Sequence, residues 1–355
     1  MQEQLSNHSS SFSFNLEPAQ VNIEPSGFFE IKPTLKPVTE ALEDPRRVDP
    51  HANEAAIMIT NADVLIKFEE KALAEHILRQ CLYLNPKHPQ ALRKLAEVCS
   101  GSDIRLKAFE TLIQTEYSFK NLASLAHCYY AKSDLEKARM TYEMALSAVT
   151  EEDPELFEVY KNLGNIFMRE SDFEAAEEFY NKAFTLNSRS AVLHVNLGTL
   201  AMQKADTQTA LERFRGALEI DSRNDKAWVG LGMVHHDMGD LVLARANIEN
   251  AMDINPLNRT AVQLAATWAL RDHDLGFAVE GLQNYVGQYV GDTSFKTDAA
   301  AHFCDEEMSL LLIHLLCLRN QFVEAKLEVE RLLLWNPSSE KLQAIEEEIK
   351  NASRR

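Results

Sequence analysis

The sequence predicts an all-α protein built from stacked helix pairs, and the main evidence is a 34-residue period in residues 157–258. In each copy a Leu-Gly pair is followed by an alanine twelve residues after the glycine: Leu163-Gly164 with Ala176, Leu197-Gly198 with Ala210, and Leu231-Gly232 with Ala244. A glycine inside a helix costs about 1 kcal/mol relative to alanine. Its recurrence therefore indicates a helix–helix contact that is too close for a side chain. A single pair cannot bury its apolar face alone, so we expect the copies to stack.

Each copy also carries a dipeptide between its two predicted helices that suits a short turn and a helix N-cap: Ser171-Asp172, Ala205-Asp206 and Gly239-Asp240. The period, the glycine and alanine positions and this turn together resemble the tetratricopeptide repeat. The resemblance implies an all-α, right-handed α-solenoid (superhelix) of about eight helix–turn–helix units with a C-terminal capping helix.

The same template extends in both directions from the central copies, with weaker matches towards the ends. The predicted units are 55–88, 89–118, 119–156, 157–190, 191–224, 225–258, 259–285 with an insertion at 286–305, and 306–339. Residues 340–355 form the predicted capping helix, because the last repeat of a stack needs a polar outer cover. A solenoid domain over residues 55–339 is therefore expected.

Residues 1–54 differ from the rest of the chain, since they hold six of its eleven prolines and show no period. Proline at this density prevents a long helix, so an extended or disordered arm is expected. Two interpretations of the arm stay open. It is a plain linker, or it is an anchoring segment that binds a groove of this protein or of a partner through Phe28 and Phe29.

Composition excludes several classes of function. The chain has 355 residues, 45% of them hydrophobic, and a formal net charge of −18. Nucleic acids and anionic membranes are disfavoured as partners, because both require clustered lysine and arginine. The five cysteines show no paired spacing, and the N-terminus lacks the features of a signal peptide. We expect a cytoplasmic protein, and the oligomeric state stays open.

No catalytic or cofactor-binding signature is present in the sequence. The run His235-His236-Asp237 contains metal-ligand residue types, but neighbouring side chains on a helix point about 100° apart and do not converge on one ion. The prediction is a protein without enzymatic activity, without a cofactor and without a metal site.

The resemblance places the binding surface on the first helix of each unit, which lines the concave side of the stack. The predicted groove residues are Lys161, Asn165, Val192, Val195, Asn196, Met202, Lys226, Val229 and Met233. Four of them, Lys161, Asn165, Asn196 and Lys226, match positions of the dicarboxylate clamp of certain co-chaperones. The arginine of that clamp is replaced here by Gly230. The alternative is that these are ordinary polar residues, and that Val195 and Val229 only pack between helices.

The predicted function is that of a non-enzymatic adaptor or scaffold, which binds a peptide or helix of another protein in the concave groove. Two alternatives stay open. One is a chaperone-like holder of a client's C-terminal segment, and the other is a regulatory subunit that docks a folded signalling domain. In either case the N-terminal arm could act as an autoinhibitory segment.

Overall fold

The computed structural model describes residues 50–150, 153–272, 275–290 and 305–353, and in these residues the fold is an all-α solenoid without strands. The predicted fold class is confirmed. The predicted anchors Phe28 and Phe29, and residues 291–304 of the predicted insertion, lie outside the described residues. The helices are α1 (Pro50–Lys67), α2 (Lys71–Leu84), α3 (Pro89–Val98), α4 (Ser102–Leu112), α5 (Phe119–Ala131), α6 (Leu135–Ser147), α7 (Leu156–Arg169), α8 (Phe173–Leu186), α9 (Ala191–Gln203), α10 (Thr207–Ile220), α11 (Asp225–Asp237), α12 (Leu241–Ile254), α13 (Arg259–Asp272), α14 (Leu275–Val290), α15 (Glu306–Leu318), α16 (Phe322–Trp335) and α17 (Glu340–Ala352).

The repeated glycines lie where the two helices of a pair touch. A Cβ atom at Gly164 on α7 would lie 2.4 Å from Cδ1 of Tyr180 on α8. A Cβ atom at Gly232 on α11 would lie 2.9 Å from Cδ1 of Ile248 on α12. The alanines predicted to contribute from the second helix, Ala176, Ala210 and Ala244, are at most 1% exposed. The pattern therefore records close helix packing, as expected.

A short turn with left-handed backbone separates the two helices of each central pair. The residue before the N-cap has a positive φ: 61° at Ser171, 57° at Ala205 and 81° at Gly239. The aspartate that follows each of them accepts a hydrogen bond from the backbone N–H three residues later, and these N-caps are Asp172, Asp206 and Asp240. The cap satisfies one of the free N–H groups at the start of the second helix.

The first helices of neighbouring pairs lie closer together than the second helices. α7 contacts α9, α9 contacts α11, and α13 contacts α15. Among the extensive helix–helix contacts in the described part of the chain, none joins two second helices of neighbouring pairs. The first helices therefore line the inner side of the stack.

The last helix covers the end of the stack. α17 packs against α16 through Leu342 and Ile349, which are 1% and 4% exposed and belong to the same apolar cluster as Val329 and Leu332 of α16. The other face of α17 carries a run of exposed glutamates. This arrangement is the polar cover that a terminal repeat requires.

Candidate partner-binding groove

A pocket of about 540 Å³ lies on the first-helix side, between α9, α11 and the start of α13. It brings together six of the nine predicted groove residues: Val195, Asn196, Met202, Lys226, Val229 and Met233. Its walls are completed by Thr199, Gln203, Phe214, Asp225, Gly230, Asn255, Leu257, Asn258, Arg259 and Thr260. An apolar floor with a few polar groups at its rim is the usual composition of a binding pocket.

The pocket has one exposed lysine that is available for an ion pair with a ligand. Lys226 lies in the first turn of α11, and within the described residues it has no ion-pair partner. Its neighbour Asp225 accepts hydrogen bonds from the side-chain amides of Asn255 (2.7 Å) and Asn258 (2.8 Å). The Asp225 carboxylate is therefore held by two asparagines of the next loop.

The second cation at the pocket, Arg259, is already paired. Its Nε donates to Asp305 at 2.8 Å, and its Nη2 donates to Glu307. These two carboxylates raise the pKa of the Arg259 guanidinium above its usual range. Arg259 therefore stabilises the contact between α13 and α15, and Lys226 carries the positive charge of the pocket.

The apolar floor is partly structural. Val195 is 9% exposed and packs with Phe214 and Leu231, while Val229 is 6% exposed and packs with Ile248. Both valines thus pack between helices and also contribute an edge to the pocket wall. Met202 and Met233 are half-buried at the same wall, and flexible methionine side chains adapt to different apolar ligands.

Three of the predicted groove residues lie outside this pocket. Lys161 forms an ion pair with Glu158 at 2.5 Å, and its Nζ lies 5.7 Å from the ring centroid of Phe157. Val192 is 53% exposed on α9. Asn165, the third, belongs to a network of hydrogen bonds inside the stack.

That network joins three successive helix pairs. Oδ1 of Asn165 accepts hydrogen bonds from the Tyr180 hydroxyl and from Nδ2 of Asn196, both at 2.8 Å. Nδ2 of Asn165 donates to the Tyr130 hydroxyl at 3.4 Å. The two asparagines of the predicted clamp therefore bind to each other, which is a structural role.

The missing clamp arginine has a steric explanation. A Cβ atom at Gly230 would lie 2.3 Å from Cε1 and 2.4 Å from Cζ of Phe214. Real side chains essentially never approach so closely. Phe214 thus occupies the space that any side chain at position 230 would need, and the sequence alone gave no reason to pair these two residues.

The histidine run has no metal-binding geometry. His236 stacks on Trp268 with ring centroids 4.4 Å apart. In the described residues no group of three His, Cys, Asp or Glu side chains is arranged to hold a metal ion. Likewise, none of the described helices combines the length and apolar character that crossing a membrane requires.

Two tetratricopeptide repeat family models match the chain, over residues 119–189 and 195–258. No curated protein sequence matches it significantly.

Among solved structures, a tetratricopeptide repeat protein from Parabacteroides merdae shares 16% identity and a TM-score of 0.55, over 73% of this chain and 98% of that one. PilF of Pseudomonas aeruginosa shares 15% identity and a TM-score of 0.49, over 61% of this chain and 99% of that one. The protein YrrB, described as having an unusual peptide-binding site, shares 17% identity and a TM-score of 0.43, over 53% of this chain and 96% of that one.

The matched repeats coincide with α5 to α12, and the first of these structures extends the same architecture over most of the stack. The chain therefore contains tetratricopeptide repeats, which the family models match in residues 119–189 and 195–258.

Proposed function

We propose that this protein is a non-enzymatic adaptor that binds a segment of another protein in the pocket between α9, α11 and α13. Tetratricopeptide stacks are in general protein interaction scaffolds, and this coarser function follows from the repeats themselves. The observation that supports the finer proposal is the pocket, which joins an apolar floor to an exposed lysine that has no ion-pair partner among the described residues.

The chemistry of the pocket suggests what the segment carries. An apolar side chain fits against Val229 and Met233, and a carboxylate pairs with Lys226. The chain has a net charge of −18, and the second cation of the pocket, Arg259, is paired with Asp305 and Glu307. The charge of Lys226 therefore favours one acidic group of the ligand at that point. The pocket accommodates a short extended segment or one face of a helix.

Replacing Lys226 by glutamate tests the proposal with little risk to the fold. Lys226 is exposed and lies in the first turn of α11, where an acidic residue is favourable to the helix dipole. A matched control is Lys87→Glu, which makes the same charge change at an exposed lysine between α2 and α3, within the described residues but outside the pocket.

The measurement is an affinity capture from cell extract with the wild-type chain and both variants, read by quantitative mass spectrometry. We expect a partner that the wild-type chain and Lys87→Glu enrich equally, and that Lys226→Glu enriches about tenfold less, which corresponds to about 1.4 kcal/mol. Equal enrichment by all three chains would show that the pocket does not bind the partner.

A second arm of the same experiment addresses the chaperone-like alternative. A free peptide with an acidic C-terminus is added as competitor during capture. Release of many unrelated proteins would favour a holder of client C-termini, and retention of a single partner favours the dedicated adaptor.

A further inference from the structure

A second apolar surface lies at the start of α12, away from the groove. Leu241, Val242 and Leu243 follow one another in the first turn of this helix and are 42%, 80% and 46% exposed. Met238 in the preceding turn is 58% exposed. Single exposed apolar residues are normal, but three consecutive ones, with a fourth three residues before them, favour an interaction site.

The repeat provides an internal comparison for this group. At the corresponding positions 34 and 68 residues earlier, the chain has Thr207-Gln208-Thr209 and Phe173-Glu174-Ala175. Both segments begin a second helix with the same aspartate cap as α12. The fold therefore does not require an apolar residue at all three positions, and among these three units the Leu-Val-Leu run is specific to the last.

A pocket of about 600 Å³ lies beside the apolar group. Its wall contains the rings of His236 and Trp268, which stack with an interplanar angle of 6°, and the ring of Phe277 on α14. Leu241 and Val242 form its rim. It therefore offers aromatic walls and an exposed apolar edge to one large apolar side chain.

The pocket lining carries one arginine and one glutamate, and most of the charged residues next to the lining residues in sequence are acidic, although Arg271 lies one turn after Trp268. Asp237, Asp240 and Glu280 are exposed, and Glu280 lies one turn after Phe277 on the same side of α14. Of the cations near the pocket, Arg245 donates to Glu249 at 2.9 Å and lies over the Phe277 ring at 4.8 Å. A basic segment is the complement of such a surface.

We propose that this surface docks a segment of a partner protein in which a large apolar side chain is flanked by lysine or arginine. The apolar side chain enters the pocket against Trp268 and Phe277, and Leu241 and Val242 cover it from outside. The basic residues on either side pair with Asp237, Asp240 and Glu280. This site shares no residue with the groove of Lys226, so the protein has two separate surfaces and can hold two segments at once.

The repeat also supplies the variant that tests this proposal. Leu241→Thr combined with Val242→Gln reproduces Thr207 and Gln208, which the same chain carries at the same place in the preceding unit. Both replaced side chains are exposed, so the full-length variant is expected to fold. Its helix content and melting temperature are recorded beside the wild-type chain.

The probes are three fluorescently labelled synthetic peptides. The first carries a central Leu-Trp pair between lysines, the second carries the same pair between glutamates, and the third carries Ala-Ala between lysines. Fluorescence anisotropy measures the binding of each peptide to the wild-type chain, to the Leu241→Thr, Val242→Gln variant and to Lys226→Glu.

We expect saturable binding of the Lys-flanked Leu-Trp peptide to the wild-type chain and to Lys226→Glu, and about tenfold weaker binding to the double variant. The other two peptides should bind the wild-type chain at least about tenfold more weakly than the Lys-flanked Leu-Trp peptide does. Added salt should weaken the binding of the Lys-flanked Leu-Trp peptide. Equal binding to the wild-type chain and the double variant would overturn the proposal, as would absence of binding or loss of binding in Lys226→Glu.

Discussion

Two neighbouring junctions of the same repeat pack in different ways, although they lie 34 residues apart on one template. At the first, the Tyr180 hydroxyl of α8 donates to Asn165, which also accepts from Asn196 of the next pair. At the second, the equivalent ring is Phe214 of α10, and the position equivalent to Asn196 is Gly230. The first junction is thus held by hydrogen bonds between a hydroxyl and amides, whereas at the second an apolar ring packs against the backbone of a glycine.

The difference explains where the groove lies. At the Tyr180 junction the amide of Asn196 is used to hold the stack together. At the Phe214 junction no side chain projects from position 230, and Phe214 and Gly230 both line the pocket. Two differences between the units, phenylalanine in place of tyrosine and glycine in place of asparagine, therefore replace a hydrogen-bonded junction by an open one beside Lys226.

The largest expected effect comes from adding a methyl group at the apolar junction. Gly230→Ala places a Cβ atom 2.3 Å from the Phe214 ring, and we expect a loss of about 1–3 kcal/mol in the free energy of unfolding from overpacking. Denaturant titration monitored by circular dichroism measures this loss.

The control is the double variant Gly230→Ala, Phe214→Leu. The smaller side chain at 214 makes room, so the alanine should cost much less in that background than in the wild-type chain. The same cost in both backgrounds would contradict the contact between Gly230 and Phe214.

At the polar junction the expected effect is smaller. Tyr180→Phe removes one hydrogen bond to Asn165 and should cost about 1 kcal/mol. In a double-mutant cycle with Asn165→Ala, the two changes should be non-additive, because they remove the same bond. Additive costs measured by denaturant titration would show that the bond makes no contribution.

The turns between paired helices allow a matched comparison with a still smaller effect. Ala205 and Gly239 occupy the same turn position with φ of 57° and 81°, and left-handed backbone is unfavourable for residues other than glycine. Ala205→Gly should raise the free energy of unfolding by about 0.5–1 kcal/mol, and Gly239→Ala should lower it by about 1 kcal/mol. Thermal melts of both variants test this, and shifts of the same sign would contradict it.

Sensitivity to acid should distinguish the apolar junction at Phe214 from a polar junction at Tyr142, which has the position of Tyr180 in the preceding unit. His127 lies against Tyr142, whose hydroxyl also accepts a hydrogen bond from Asn162. Burial lowers the pKa of His127, so the folded chain binds fewer protons than the unfolded chain near pH 6. The free energy of unfolding should therefore fall as the pH drops below about 6.5.

Denaturant titrations at pH 7 and pH 5.5 check this direction, with His127→Gln as the comparison. The variant should lose less stability between the two pH values than the wild-type chain. Hydrogen exchange should locate the weakening in α5 to α7 rather than in α9 to α12. An equal loss in both chains would assign the acid sensitivity to other groups.

The sequence was a good guide to the fold because the repeat constrains packing at fixed positions. Gly164 and Ala176 predicted a close helix contact, and Asp172 predicted a cap. The inner face was predictable from the same register, which is why Lys226, Val229 and Met233 lie together. What the register could not predict is which partner each polar group has. That the Asn165 amide binds Tyr180, or that Phe214 fills the space beside Gly230, depends on side chains from other helices.

The surface at Leu241 was missed for a related reason. The family resemblance predicts binding on the inner face and makes no prediction for the start of α12. The signal for the second surface was nevertheless in the sequence, since Leu241-Val242-Leu243 departs from the polar residues at the same position of the preceding unit. Departures from a repeat are informative because the other units show what the fold alone requires.

The contacts between helices also bear on how the protein deforms. Each extensive contact joins a helix to its immediate neighbour in sequence or to the next helix but one, and no such contact in the described part of the chain connects α2 with α16. Small rotations at successive junctions therefore add up along the stack with nothing to oppose their sum. The two ends of the stack should therefore change their separation at little cost in free energy, while each helix pair keeps its packing.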